Sequence, residues 1–206
     1  MKMERRALLC AWPILVAAGL VACTSPPAQY YRLAAVPGPT CSDVPPTIGV
    51  RSISIPGYLN QNGIAKPSGN YQFDSYSNEL WAEPLADMLQ ATMVQDLVQR
   101  LPESTVTGSG GAIGAPSDVL VEINVSRFDP DPAGRIVLTI QIAIKSGGSR
   151  TLWMVRTFNS SSAPAGDDVS EIAAAMSTLW SAAADEIGSL IVESWANHPK
   201  DSPAAQ

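Results

Sequence analysis

The sequence predicts an α+β fold, a single domain in which two main helices pack on a mostly antiparallel sheet. Three observations support this prediction. Apolar and polar residues alternate over three successive late segments, which is the period of half-buried strands. Two other segments carry apolar residues at helical spacing. The connections between the three alternating segments are too short for parallel crossovers, so these strands form an antiparallel meander.

The amino-acid composition limits the kinds of protein that this chain can be. The chain has 206 residues, enough for one ordinary domain, and 46% of them are hydrophobic, so a core can form. Seventeen prolines and 15 glycines indicate many turns and argue against a simple helical bundle. The net charge is −6 without a lysine or arginine run, which excludes nucleic-acid binding through a cationic face. One histidine and three cysteines leave little material for a metal site or a histidine-dependent triad.

The N-terminus predicts a cleaved secretory signal peptide over residues 1–22. A charged start with Lys2, Arg5 and Arg6 precedes an apolar run over residues 7–22. This run is shorter than the ~20 residues that a membrane-spanning helix needs. Pro13 inside it also argues against a permanent span.

The segment Leu20-Val21-Ala22-Cys23 resembles the bacterial lipobox. A small residue before the cysteine fits the signal peptidase, and the thiol accepts diacylglycerol, so we expect lipid attachment at Cys23. The alternative is an ordinary signal peptide with a chance cysteine. Residues 23–29 are polar and contain proline, as expected of a tether. Thr24, in place of an aspartate, implies sorting to the periplasmic face of the outer membrane in a Gram-negative bacterium.

The remaining cysteine has no predicted intrachain partner. Cys10 leaves with the signal peptide and Cys23 is acylated, so only Cys41 stays as a thiol. Cys41 lies in a proline-rich loop, which favours an inert thiol over a redox site. An intermolecular disulfide is the open alternative in an oxidising periplasm.

The folded domain is predicted over residues 30–197. Its first half contains a short strand at 30–33, a strand at 47–55 and a β-hairpin at 63–77, whose return arm is Tyr71-Gln72-Phe73. A helix is predicted over residues 84–101.

The second half contains the meander and the longer helix. The three strands are predicted at residues 119–126, 136–144 and 151–158. The helix runs from a cap at Asp168 to about Trp195. Residues 198–206 form a polar tail.

Several polar motifs have local explanations that do not involve catalysis. The glycine-rich loop at 108–114 fails the dinucleotide spacing and lacks the lysine of a P-loop, so we interpret it as a connection. Asp129 and Asp131 are interpreted as turn residues, because the glutamate of a calcium loop is absent. His198 lies in the tail without an acid to orient it. We therefore expect no enzyme activity, no cofactor and no metal.

An acidic group precedes and begins the first helix. The helix dipole accounts for the three acids Glu79, Glu83 and Asp87.

The aromatic residues allow two interpretations. Core packing is favoured for the tryptophans at 81, 153, 180 and 195. The alternative places Tyr58, Leu59 and Trp81 at an interface with a partner, where aromatic residues often dominate binding.

Three segments together resemble the PqiC-type family of ABC-type transport auxiliary lipoproteins. They are Pro56-Gly57-Tyr58-Leu59, Tyr71-Gln72-Phe73 and Asn78-Glu79-Leu80-Trp81-Ala82-Glu83-Pro84-Leu85. The resemblance extends from Tyr30-Tyr31-Arg32-Leu33 to the late strands and the terminal helix. Asn60-Gln61 departs from it, because many relatives have a charged residue after Tyr-Leu.

The resemblance implies a non-catalytic lipoprotein of the outer membrane that works with an inner-membrane MCE-domain protein and a membrane permease in moving lipids. Phospholipid contact and a homo-oligomer are compatible with this role. The surface around Tyr58, Leu59 and Trp81 is then the candidate docking site. Two rival hypotheses remain, namely an envelope-integrity or assembly-factor lipoprotein outside lipid transport, and a lipid-anchored periplasmic enzyme.

Overall fold

The computed structural model describes residues 26–111, 113–114 and 116–198. The signal peptide, Cys23 and most of the predicted tail lie outside the described residues, so acylation stays a prediction. Two helices and two sheets form one α+β unit, which confirms the predicted fold class.

The described residues form eight strands, two α-helices and one short 3-10 helix. In chain order they are β1 Gln29–Tyr31, β2 Thr47–Val50, the 3-10 helix Gly57–Leu59, β3 Gly63–Lys66, β4 Asp74–Trp81, α1 Leu85–Arg100, β5 Thr105–Gly108, β6 Val119–Pro130, β7 Ile136–Ser146, β8 Leu152–Ser162 and α2 Val169–Asn197. A small sheet has the order β1-β4-β3, and a large sheet has the order β5-β2-β6-β7-β8.

The antiparallel meander is confirmed, since β6 pairs with β7 and β7 with β8. The structure adds parallel pairs that the sequence did not indicate. β2 lies between β5 and β6 and is parallel to both, and β1 is parallel to β4. Helix α1 supplies the crossover from β2 to β5, which parallel neighbours require.

The hairpin lies where it is predicted in the chain, but the prediction of its second strand is wrong. Gln72 N–H donates to the Gly69 carbonyl at 2.9 Å, and the Ser68 hydroxyl donates to the Gln72 carbonyl at 2.7 Å, so residues 67–73 form the loop. The return arm is instead β4, which begins with the pairing of Lys66 and Asp74. Their side chains form an exposed ion pair at 2.8 Å.

Other predicted boundaries also change. The strand expected over residues 47–55 ends at Val50, although Arg51 N–H still donates to the Val121 carbonyl at 2.9 Å and Ser54 forms an isolated bridge to Asn124. Asp168 occupies the N-cap position of α2 but makes no capping hydrogen bond with its side chain.

The core lies between the helices and one face of the large sheet. Alternate residues of β6 and β7, such as Ile123 and Ile140, are buried on that face. Trp180 of α2 is completely buried, stacks on Phe128 with ring centroids 5.9 Å apart, and donates its indole N–H to the Leu89 carbonyl at 3.0 Å. The core interpretation of this tryptophan is confirmed.

A buried cluster around Arg100 joins the N-terminal segment to both helices. Its guanidinium donates to the carboxylate of Asp185 at 2.5 Å and to the carbonyls of Val36 and Ser181 at 3.2 and 3.0 Å. The carboxylate of Asp96 accepts from Val36 N–H at 3.1 Å, from the Ser181 hydroxyl at 2.9 Å and from Arg100 at 3.4 Å. These contacts hold the chain that follows β1 against α1 and α2.

Cys41 adjoins this cluster, and its N–H donates to the Arg100 carbonyl at 2.7 Å. The thiol forms no disulfide with any described residue, and it is partly buried and packed against the core.

Candidate docking site

Tyr58 lies on the tight 3-10 turn between β2 and β3. Leu59 N–H donates to the Pro56 carbonyl at 3.0 Å, which closes the turn. The Leu59 side chain is buried in the core, whereas Tyr58 is 39% exposed. The buried leucine therefore fixes the turn, and the turn presents the tyrosine to solvent.

The phenol of Tyr58 is held from two sides. Its hydroxyl donates to the Asp129 carboxylate at 3.0 Å, and Phe73 packs edge-on with centroids 5.2 Å apart and planes at 63°. Burial, and then the charge of Asp129 and the hydrogen bond to it, raise the pKa of Tyr58. The hydroxyl consequently remains protonated and keeps donating.

The same carboxylate oxygen orients Arg127. The Arg127 Nε–H donates to Asp129 at 3.2 Å, and the arginine side chain is 40% exposed. The two outer nitrogens of the guanidinium make no hydrogen bond within the described ranges of the chain. A fixed cation with a free planar edge thus lies beside the tyrosine.

A β-bulge in β6 explains why Arg127 and Asp129 point outward. The register with β7 shifts between Val125 and Arg127. Val125 and Phe128, on either side of the shift, are both buried. The side chains that face inward are therefore at odd-numbered positions before the bulge and at even-numbered positions after it. Arg127 and Asp129 then share the outer face.

These groups surround a cavity of about 530 Å³, which we name the Tyr58–Arg127 pocket. The rim includes a fully exposed Tyr71 and a partly exposed Phe73 from the hairpin loop. Amide and hydroxyl groups of the same loop complete the lining, together with Pro130 and Pro132. Aromatic faces and an oriented guanidinium can recognise a flat apolar group and an anionic group together.

The three residues predicted at the docking surface separate in the structure. Trp81 is buried at the end of β4, where its backbone N–H donates to the Asn62 carbonyl at 2.7 Å. The favoured core interpretation of Trp81 is confirmed, and neither Trp81 nor Leu59 offers a contact surface. Of the three, Tyr58 alone lies at the surface, and its role in docking stays a prediction.

Sequence reasoning missed Arg127 and Phe73 and assigned Asp129 to a turn. Arg127 and Asp129 are two residues apart on a strand, so their side chains lie on one face. This spacing could have identified the pair from the sequence. The turn role of Asp131 is confirmed, because its carboxylate accepts the N–H groups of Ala133 and Arg135, both at 2.9 Å.

His198 has a structural setting at the end of α2. Its ring stacks on Trp153 with centroids 4.9 Å apart and planes at 7°, and its Nδ1 lies 3.0 Å from the Ser194 carbonyl. In the described part of the chain, no group of three or more histidine, cysteine, aspartate or glutamate side chains is arranged to hold a metal ion. No helix among the described residues is long and apolar enough to cross a bilayer.

Comparison with known proteins decides the family. The model of the family described as ABC-type transport auxiliary lipoprotein component matches residues 31–188. The chain belongs to this family. The match covers every element from the end of β1 to most of α2.

Relatives in the ABC-type transport auxiliary lipoprotein family include curated proteins. The intermembrane transport lipoprotein PqiC of Escherichia coli K12 is 25% identical over 182 residues, covering 85% of this chain and 94% of PqiC. PqiC of Shigella flexneri matches to the same extent. The predicted resemblance to PqiC-type proteins is therefore confirmed, and the chain is a transport-auxiliary lipoprotein.

Solved structures agree with the fold. A crystal structure of a Xanthomonas campestris protein superposes with a TM-score of 0.71 at 18% identity, covering 84% of this chain and 99% of that protein. A second crystal structure, of an uncharacterised protein, gives a TM-score of 0.68 at 22% identity with 81% and 99% coverage.

Proposed function

We propose that this protein is a non-catalytic component of an MCE-type system that moves lipids between membranes, anchored to the periplasmic face of the outer membrane. The family match over residues 31–188 carries the proposal, because it spans nearly the whole described fold. The PqiC relatives are named intermembrane transport lipoproteins, which supports the same role.

The anchor is Cys23, six residues before β1. Several acyl chains on one residue make attachment stable, since each buried methylene contributes ~0.8 kcal/mol. β1 pairs with residues 79–81 of β4, so the tether joins the small sheet at that end. The Arg100 cluster holds the segment after β1, and the anchor is thereby coupled to the packed helices rather than to a loose arm.

The Tyr58–Arg127 pocket is the proposed contact site for an inner-membrane MCE-domain protein. A membrane permease is a further component of the same transport system. The pocket borders the hairpin loop that joins β3 to β4. β4 begins at Asp74, where that loop ends, and its pairing with β1 begins at Glu79. The five residues between them separate the tether from the loop by roughly 17 Å along the strand. Leu59 acts as a buried support of this surface, whereas Trp81 lies at the opposite end of β4. Phospholipid then passes along the MCE partner, and the lipoprotein fixes the outer end of the route.

A second copy of the chain can add to this arrangement. β8 is an edge strand of the large sheet with exposed Leu152 and Val155, which are available for self-association around a symmetric partner.

Affinity purification of the full chain from envelopes tests the proposal. Mass spectrometry is expected to find the mature N-terminus at an acylated Cys23, and co-purification is expected to recover an MCE-domain protein with phospholipid. An intact leader without acylation would contradict the anchor. Recovery of only outer-membrane assembly factors would favour the assembly-factor hypothesis, and turnover of a small-molecule substrate would favour the enzyme hypothesis.

A further inference from the structure

We propose that the Tyr58–Arg127 pocket recognises an acidic side chain of the protein partner. The carboxylate of an aspartate or glutamate pairs with the outer edge of the Arg127 guanidinium, and an adjacent apolar group of the partner packs on Tyr58 and Phe73. The identity of the partner as the MCE-domain protein rests on the proposed function; the carboxylate chemistry rests on the pocket.

The geometry of Arg127 selects a planar anion. Its Nε is committed to Asp129 at 3.2 Å, and the two outer nitrogens make no bond in the described ranges. A guanidinium presents such paired donors at the spacing of a carboxylate's two oxygens, so a bidentate contact is available. At 40% exposure the arginine is accessible yet partly withdrawn from water, which strengthens a charged hydrogen bond.

The pocket is organised before any partner arrives. One oxygen of Asp129 receives both the Tyr58 hydroxyl and the Arg127 Nε–H, and Phe73 holds the tyrosine ring edge-on. Gln61 adds a hydrogen bond from its side-chain amide to the Tyr58 carbonyl at 2.9 Å. Little side-chain entropy is lost on binding at such a site, and this favours specific recognition.

The occupant is a protein segment rather than a lipid surface. Tyrosine and arginine are the residues that dominate protein interfaces, and the pocket combines them with exposed Tyr71 and Phe73. The chain carries a net charge of −6, which repels an extended anionic membrane surface. A single carboxylate inserted into the pocket interacts mainly with the nearby Arg127.

The test uses the full mature chain and the full-length MCE-domain protein of the same bacterium, both in detergent. Biolayer interferometry compares wild type with Arg127→Gln, which removes the charge, and Arg127→Lys, which keeps the charge but loses the planar pair of donors. Arg32→Gln, just after β1, is the matched control, since Arg32 is exposed and has the same charge. We expect Arg127→Gln to weaken binding by about tenfold or more, Arg127→Lys to recover only part of the loss, and the control to bind as wild type.

Other outcomes are separable. Binding by wild type that Arg127→Gln leaves unchanged overturns the carboxylate inference while the proposed function stands. No binding by wild type overturns the proposed function and, with it, the partner named here. Vesicles of phosphatidylglycerol and phosphatidylethanolamine in equal parts serve as the second probe. Arg127-dependent binding to them would assign the pocket to a phosphate headgroup and overturn the inference.

Discussion

Replacing Arg100 with methionine probes the cluster that couples the N-terminal segment to the helices. The arginine is 1% exposed, and its guanidinium bonds both helices and Val36. Methionine keeps most of the side-chain volume and removes every one of these donors. Asp96, which is fully buried, then loses its paired charge.

The expected cost is dominated by Asp96. Removing one partner of a buried ion pair costs ~3–5 kcal/mol, because the remaining charge is left uncompensated. The lost contact to Asp185 adds little, since that carboxylate is 41% exposed and water replaces the guanidinium. With a urea m-value of ~2 kcal/mol/M, the unfolding midpoint should fall by ~1.5–2.5 M.

Urea denaturation followed by circular dichroism measures this effect on the chain without its leader. Arg156→Met is the matched control and should change stability by less than ~0.5 kcal/mol. The double variant Asp96→Asn/Arg100→Met should be more stable than Arg100→Met alone, because the stranded charge is gone. A loss below ~1 kcal/mol for Arg100→Met, or a double variant less stable than Arg100→Met, would show that the guanidinium does not compensate a buried charge on Asp96.

Three further predictions concern the fold and the pocket. Gly147→Ala should destabilise the protein strongly in thermal unfolding, since a Cβ at Gly147 would collide with the Ser117 backbone; a Tm like that of wild type would contradict this. Tyr58→Phe should cost ~1–2 kcal/mol in urea unfolding, because the largely buried Asp129 loses a donor, and an unchanged midpoint would show that this bond contributes nothing. Burial raises the pKa of Asp96 above 3.8, so between that value and the raised one the native state binds a proton that the unfolded chain does not. As pH falls from ~7 to ~4, wild type should therefore gain stability relative to Asp96→Asn. A loss of stability relative to the variant over this range would show that the pKa is lowered.

Local patterns predicted the elements whose pairing is local. The alternation in β6, β7 and β8 and the short turns between them were sufficient for the antiparallel meander. The parallel position of β2 between β5 and β6 depends on contacts across more than 50 residues, which no local period encodes. The four-residue β5 was missed for the same reason, since its partner is distant and its sequence is short.

The docking pocket was only partly predictable. The turn chemistry of Pro56-Gly57 and the adjacent leucine indicated where Tyr58 lies. Arg127 was not singled out because the bulge in β6 changes the inward face, and strict alternation cannot locate such a shift. Phe73 was assigned to a strand, whereas the hydrogen bonds of the loop place it at the rim of the pocket.

Site-specific photo-crosslinking in living cells tests whether the rim of the Tyr58–Arg127 pocket contacts the MCE-domain protein. A photoreactive phenylalanine replaces the fully exposed Tyr71 at the pocket rim, and a matched variant carries it at Val98, which is 47% exposed on α1. We expect an adduct with the MCE-domain protein from position 71 and none from position 98. Adducts from position 98 alone, or adducts at position 71 only with outer-membrane assembly factors, would contradict this expectation.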